Sequence, residues 1–180
     1  MDALIRWLLL AALALPIAGL AQSENRASEV QIKAAFLYKF GDFIEWPPAA
    51  FARADAPFAI GVMGAEDVAA ALEQVVAEHT VQGHRVVVRR LRRGEALSGL
   101  HVLFVGQGES ARLAETLATA RGQALLTVTE SDNAIVHGSM INFVAEDQKV
   151  RFDIALASAE RGQLKISSRL LAVARRVITS

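Results

Sequence analysis

The stretch Val105-Gly106-Gln107-Gly108-Glu109-Ser110 leads from an all-apolar run through a glycine-containing turn into a helical pattern. Backbone N–H groups at such a helix start can hold an anion. The third glycine of a dinucleotide fingerprint and the lysine of a P-loop are both missing, and Glu109 would repel a phosphate. A tight strand-to-helix turn is the simpler reading. Glu130-Ser131-Asp132 offers paired carboxylates just after a predicted strand, on the side of a sheet where α/β proteins often place ligands. The plainer alternative is a solvated turn in which Asp132 and Asn133 bond the local backbone.

Nucleophilic and metal chemistry find less support. No Gly-x-Ser-x-Gly elbow surrounds a serine, and Ser139 follows Gly138 in a strand-like segment. His79, His84, His101 and His137 fall at predicted loop and strand ends without an HExxH spacing, whereas a catalytic zinc needs three converging ligands. The chain has no cysteine, which excludes disulfides, thiolate nucleophiles and iron–sulfur ligation together. The expectation is therefore no catalytic residue, no cofactor and no metal.

Charge points the same way. Lys+Arg and Asp+Glu both number 19, so no global field favours nucleic acid or an anionic membrane. The one basic run is Arg85, Arg89, Arg90, Arg92 and Arg93. Neighbours on a strand face opposite ways, so these arginines do not serve one groove. They read as charge protecting an exposed edge strand, with a phosphate or lipid-headgroup patch as the alternative.

The elements that position these residues follow from periodicity. Ser28, with Gln31 three residues on, reads as the N-cap of a helix running to Phe43 and Ile44 and stopping before Pro47-Pro48. Phe36, Phe40 and Phe43 form an aromatic stripe on it, which is either core or, with Tyr38 and Trp46, partly a contact surface. Strands are predicted at 58–64, 85–91, 102–106 and 124–129, with helices at 66–78 and 110–120 between them. This alternation predicts a mostly parallel sheet with right-handed crossovers. Residues 138–145 and 149–156 predict an antiparallel hairpin turning at Glu146-Asp147-Gln148, 164–166 a short extended piece, and Ser167 or Ser168 the cap of a last helix reaching Val177. The expected fold is α/β: one domain, a three-layer sandwich with a mostly parallel central sheet, a C-terminal antiparallel hairpin and flanking helices.

At the start of the chain, Arg6 precedes an apolar run from Trp7 to Ala18, broken by Pro16 and followed by the small-residue site Gly19-Leu20-Ala21. That is a signal-peptide layout, and the run is shorter than the roughly 20 residues of a membrane span. The expected organisation is a signal peptide at 1–21, a flexible leader at 22–27 and an α/β domain at 28–180. The mature protein is expected to be soluble in the periplasm, without membrane insertion.

Four blocks then carry a resemblance. Lys33-Ala34-Ala35-Phe36-Leu37-Tyr38-Lys39-Phe40 with Phe43-Ile44-Glu45-Trp46-Pro47 resembles the opening of the YfiR/HmsC-like family of periplasmic proteins. The blocks at 102–106, at 126–128 with 138–143, and at 150–154 with 164–171 agree with it in the same order. The resemblance implies a regulatory binding protein that represses an inner-membrane diguanylate cyclase and limits cyclic-di-GMP signalling and biofilm growth; a homodimer is also expected, with the aromatic surface or Trp46 as its contact. Its partner would be the periplasmic portion of that cyclase or of another sensor protein. Better-known members carry disulfides, which this chain lacks. For the contact we single out Trp46, Glu160, Ile166 and Arg169, each of which also has an ordinary capping or packing role open to it. Two rivals remain: a small-ligand receptor with its pocket near Gly64, Gly106 and Glu130, or an accessory protein of a sensor kinase, and a hydrolase using Glu130 and Asp132.

Overall fold

The structure is a computed structural model that describes residues 17–179. Most of the expected signal peptide, residues 1–16, lies outside the described residues. Helix α1 spans Ile17–Phe40. It runs through Ser28, so Ser28 is not its N-cap: residues 20–27 are mostly good helix formers (Leu, Ala, Gln, Glu, Arg), and nothing there interrupts the hydrogen-bond ladder. The helix also ends earlier than predicted. Gly41 opens a 3₁₀ turn, Gly41–Phe43, and the chain then extends as β1, Ile44–Glu45.

The rest is β2 (Phe58–Met63), α2 (Glu66–Val76), β3 (Thr80–Val81), β4 (His84–Leu91), β5 (Val102–Val105), α3 (Leu113–Ala120), β6 (Leu126–Thr129), β7 (Ile141–Glu146), β8 (Lys149–Ala155), α4 (Leu156–Arg161), β9 (Lys165–Ile166), α5 (Ser168–Val173) and β10 (Arg176–Ile178). Eight strands form one sheet in the order β10-β8-β7-β6-β5-β2-β4-β3, and β1 pairs with β9 separately. From β4 to β7 all pairs are parallel, and β7–β8 is the antiparallel hairpin. Its turn residues Asp147 and Gln148 both have positive φ, the twist that a two-residue connection between right-twisted strands requires.

Alternation along the central strands builds two cores. Phe58, Ile60, Val102 and Phe104 face α1 and α2, while Ala59, Met63, Leu103 and Val105 face α3. Helices on both faces of a mostly parallel sheet make the three layers expected. The aromatic stripe packs into the core on one side, Phe36 and Phe40 lying against Phe143 and Phe152 at centroid distances of 5.2–6.1 Å, while Phe36 and Phe43 stay half-buried.

The last segment differs from the prediction. Ser167 does cap α5, its hydroxyl accepting from Leu170 N–H, but the helix stops at Val173 and 176–178 become β10, parallel to β8. β-branched Val177 and Ile178 favour a strand. Arg175 and Arg176 also reach back to the buried Asp153 carboxylate at 2.6–2.8 Å, which pins them beside β8.

Candidate functional site

Strand order reverses between β2 and β5. From β2 the chain steps outward to β4, then crosses back to β5 on the other side. The carboxyl ends of these two strands are the place where an open α/β sheet offers a ligand crevice. Here the crevice is closed at its centre by backbone. Gly64 has φ +68°, and a Cβ on Gly108 would meet the Gly64 carbonyl at 2.7 Å. Gly108 N–H donates to that carbonyl and Gly106 N–H to Met63 O, so these donors are already engaged. The remaining one, Gln107 N–H, donates to Glu130 Oε1 at 3.0 Å. The glycine turn does hold an anion, but that anion is the carboxylate of Glu130 from this chain.

Helix α1 crosses the mouth of the crevice and supplies the counter-charge. Lys33 Nζ donates to Glu130 Oε2 and to Glu29 Oε1, each at 2.5 Å. The Lys33 and Glu130 side chains are each only 10% exposed, Glu29 43%. Burial alone would lower the lysine pKa, but the hydrogen bonds to Glu130 and Glu29 outweigh it and hold the ammonium above its ordinary range. Two clefts open on either side of this cluster. One, of about 390 Å³, lies between α1 and the β7–β8 hairpin, with Ile32, Phe143 and Val150 as its apolar wall. The other, of about 720 Å³, lies between α1 and the start of α2, with Arg26 and Asp67 across its rim.

Glu130 thus lies at the strand ends, as the sequence suggested, but Asp132 is exposed and makes no pair with it. Lys33 was not foreseen. Its signal was spacing, since Glu29 and Lys33 stand four apart on a helix face.

Serine and histidine chemistry fare differently from one another. Ser139 is fully buried, its hydroxyl bonded to Thr129 and Ile141 O. Two of the histidines, His84 and His101, both pack on Phe51, at 4.2 and 4.5 Å between centroids, while His79 lies edge-on to Tyr38. Among the described residues no group of three or more His, Asp and Glu could hold a metal ion.

The arginine run lies on and just after β4, next to the sheet edge, where the two-residue edge strand β3 covers only His84 and Arg85. Arg90 pairs with Glu66 and Glu73 of α2 on one face, and Arg89 donates to Ser98 O on the other. Arg93 reaches Glu109.

The four candidate contact residues occupy neighbouring but distinct places. Ile166 and Trp46 line one cleft of about 410 Å³ where β1 meets β9. Trp46 is only 9% exposed, its indole N–H donating to Gly41 O. Arg169 lies on the rim of an adjoining apolar groove of about 360 Å³, whose walls are Phe36, Phe40, Phe43, Leu170 and Val173. Lys39 is the second cation on that rim, and Val173 is 61% exposed. Glu160 is exposed on α4 and lines neither cleft.

Comparison with known proteins agrees with this architecture. A profile of the YfiR/HmsC-like family matches residues 30–175. A solved structure, a conserved domain protein from Vibrio cholerae, superposes with a TM-score of 0.51 at 13% identity, over 66% of this chain and 54% of that one. This likeness shows the fold, and the chain spans about half the length of that neighbour. No protein of curated function matches.

Proposed function

Because the chain belongs to the YfiR/HmsC-like family, whose members are periplasmic and regulatory rather than catalytic, we propose that it is an exported binding protein that represses an inner-membrane diguanylate cyclase. The observation that carries a binding role is the surface between α1 and α5. There an apolar groove is rimmed by Lys39 and Arg169, with Val173 standing exposed beside it. Exposed apolar side chains framed by charge are how a protein contact is built. In this reading Arg169 stands on the rim of the contact, Ile166 and the largely buried Trp46 line the neighbouring cleft at β1 and β9, and Glu160, exposed on α4, is its outlying member. Repression follows from differential binding: a protein that prefers the inactive cyclase shifts its population toward that form.

Deleting the gene in its native bacterium is expected to raise intracellular cyclic-di-GMP. Complementation with the whole chain restores the level, and a version starting at Gln22, which lacks the export signal, does not. An unchanged level where the protein is made, or full rescue by the unexported form, overturns the reading.

The clefts around Lys33 and Glu130 favour a second reading, a small-ligand sensor, since a buried charged cluster beside an open cleft is where pKa-shifted groups meet ligands. A polar metabolite at 100 times its Kd adds about 2.7 kcal/mol of stability. Across a panel of amino acids, amines and nucleotides, that reading expects a rise in Tm of several degrees for one class, lost in Glu29→Gln. A flat panel removes it.

A further inference from the structure

His101 lies just before β5 and is 3% exposed, inside a box of aromatic rings. Phe58 stacks on it at 4.8 Å, Phe51 lies tilted over it at 4.5 Å, and Trp46 meets it edge-on at 5.7 Å. Its Nδ1 accepts the Ala59 N–H at 3.1 Å. The neutral ring therefore carries its proton on Nε2, and Nε2 has no hydrogen-bond partner, the Ala50 carbonyl lying near it without bonding geometry. A second proton would have to go on Nδ1, where it would confront the Ala59 N–H and abolish that bond.

The groups around the ring offer little to stabilise such a charge. Just after β1 it meets Trp46, from the 47–57 loop Phe51, from β2 Phe58 and the Ala59 N–H, and from β4, across Phe51, the titratable ring of His84. The nearest charged side chains of the loop, Arg53 and Asp55, are exposed and paired to each other at 3.2 Å. No carboxylate bonds the ring among the described residues. Cation–π attraction from the stacked rings opposes expulsion, but in a buried box without counter-charge the lost hydrogen bond and the desolvation outweigh it. Burial accordingly pushes the imidazole below its ordinary 6.5; the Ala50 carbonyl works against this, and His84 adds to it.

The covering residues are also the ones tied to β1. Phe51 is half-buried in a loop that includes only a short 3₁₀ turn, Pro48–Ala50. Trp46 directly follows β1, whose Ile44 and Glu45 pair with Ile166 and Lys165 of β9.

We infer that His101 and the Phe51 loop form a proton-operated latch on β1: a proton on His101 lifts Phe51 and Trp46 from the box and loosens the β1–β9 pair. The latch goes beyond the partner-binding reading and does not depend on it, because it is read from this chain alone. The direction is fixed by linkage. A histidine whose folded pKa is depressed contributes stability that is complete above pH 6.5 and is lost as pH falls through the depressed value. The latch opens in acid.

The chain contains two tryptophans, Trp7 and Trp46, so the full-length Trp7→Phe protein reports from Trp46 alone. Titrated from pH 8 downward, its emission is expected to shift to the red, reversibly, with a midpoint below 6.5 and with far-UV circular dichroism unchanged. His84→Gln keeps the transition; His101→Gln and His101→Phe, each in the Trp7→Phe background, abolish it. Persistence in both His101 variants, a flat titration, or loss of dichroism at the same pH overturns the latch and leaves the cyclase assay unaffected. Should neither variant fold, ring NMR of the unsubstituted chain decides: one histidine must titrate at the fluorescence midpoint, and absence of such a ring overturns the latch.

Discussion

Lys33→Ala is expected to lower stability by about 3–5 kcal/mol at neutral pH, because it leaves a buried carboxylate without its cation. For a domain of this size that is roughly 6–20 °C in Tm. Glu130 would keep only the Gln107 N–H, and Glu29 would face it with like charge where Lys33 now separates them. Water reaches Glu29 freely but Glu130 hardly at all, so the cost falls on Glu130. The informative comparison is Lys33→Met combined with Glu130→Leu. Replacing a whole buried ion pair by apolar groups of similar volume is often neutral, so the double variant should recover most of what the single one loses. Urea unfolding of the three proteins checks this. Recovery means the pair is not there for stability and points to a role in the clefts beside it. A double variant as unstable as Lys33→Ala means the pair itself holds α1 on the sheet. Alkali should reproduce the single variant in part: the raised lysine contributes fully below pH 10.5, and its contribution is lost as pH rises through the raised value.

The second large effect is expected at the C-terminus. Arg175→Ala with Arg176→Ala strips both cations from Asp153, which is 2% exposed on β8. The cost is about 3 kcal/mol, the low end for an orphaned buried charge, because the rim at Arg176 is open to water. Burial raises the Asp153 pKa, but the hydrogen bonds from Arg175 and Arg176 more than cancel this, so the carboxyl titrates below its ordinary 3.8. A carboxyl depressed in this way contributes stability that is complete above pH 3.8 and is lost as pH falls through the folded value. In the double variant burial acts unopposed and the orphaned carboxyl escapes its penalty by taking a proton. The gap between the two proteins is therefore widest at neutral pH and narrows in acid. Hydrogen exchange localises the damage: amides of β10 and the facing edge of β8 lose protection first. A uniform loss across the sheet, or a gap independent of pH, would refute the clamp.

Much of the fold was legible because its signals are local. Runs such as Val102-Leu103-Phe104-Val105, the Gly106 turn and the hairpin around Asp147-Gln148 each specify their own backbone, and their order dictates a parallel sheet with helices on both faces. The family blocks were legible for the same reason, being contiguous. Misreadings came where distant residues decide. Val177 and Ile178 continue a helical apolar pattern, yet Asp153, far back on β8, draws Arg175 and Arg176 into an edge strand. Phe36 and Phe40 read as core or partly as contact surface, and only the packed structure shows that Phe143 and Phe152 meet them on one side while the groove beside α5 opens on the other. In sequence Lys33 is only a member of the opening block, and His84 and His101 are only residues at loop and strand ends.

Sequence by itself determined the fold class, the absence of cysteine chemistry and the position of the strand-end crevice, since composition and short-range periodicity suffice for these, and its contiguous blocks carried the family resemblance. Tertiary structure alone decided that the crevice is filled by Glu130, that Lys33 neutralises it, and that two histidines converge on one phenylalanine. Those are partnerships between residues tens of positions apart, made only when the sheet closes, and side-chain charge and burial have no meaning before it does.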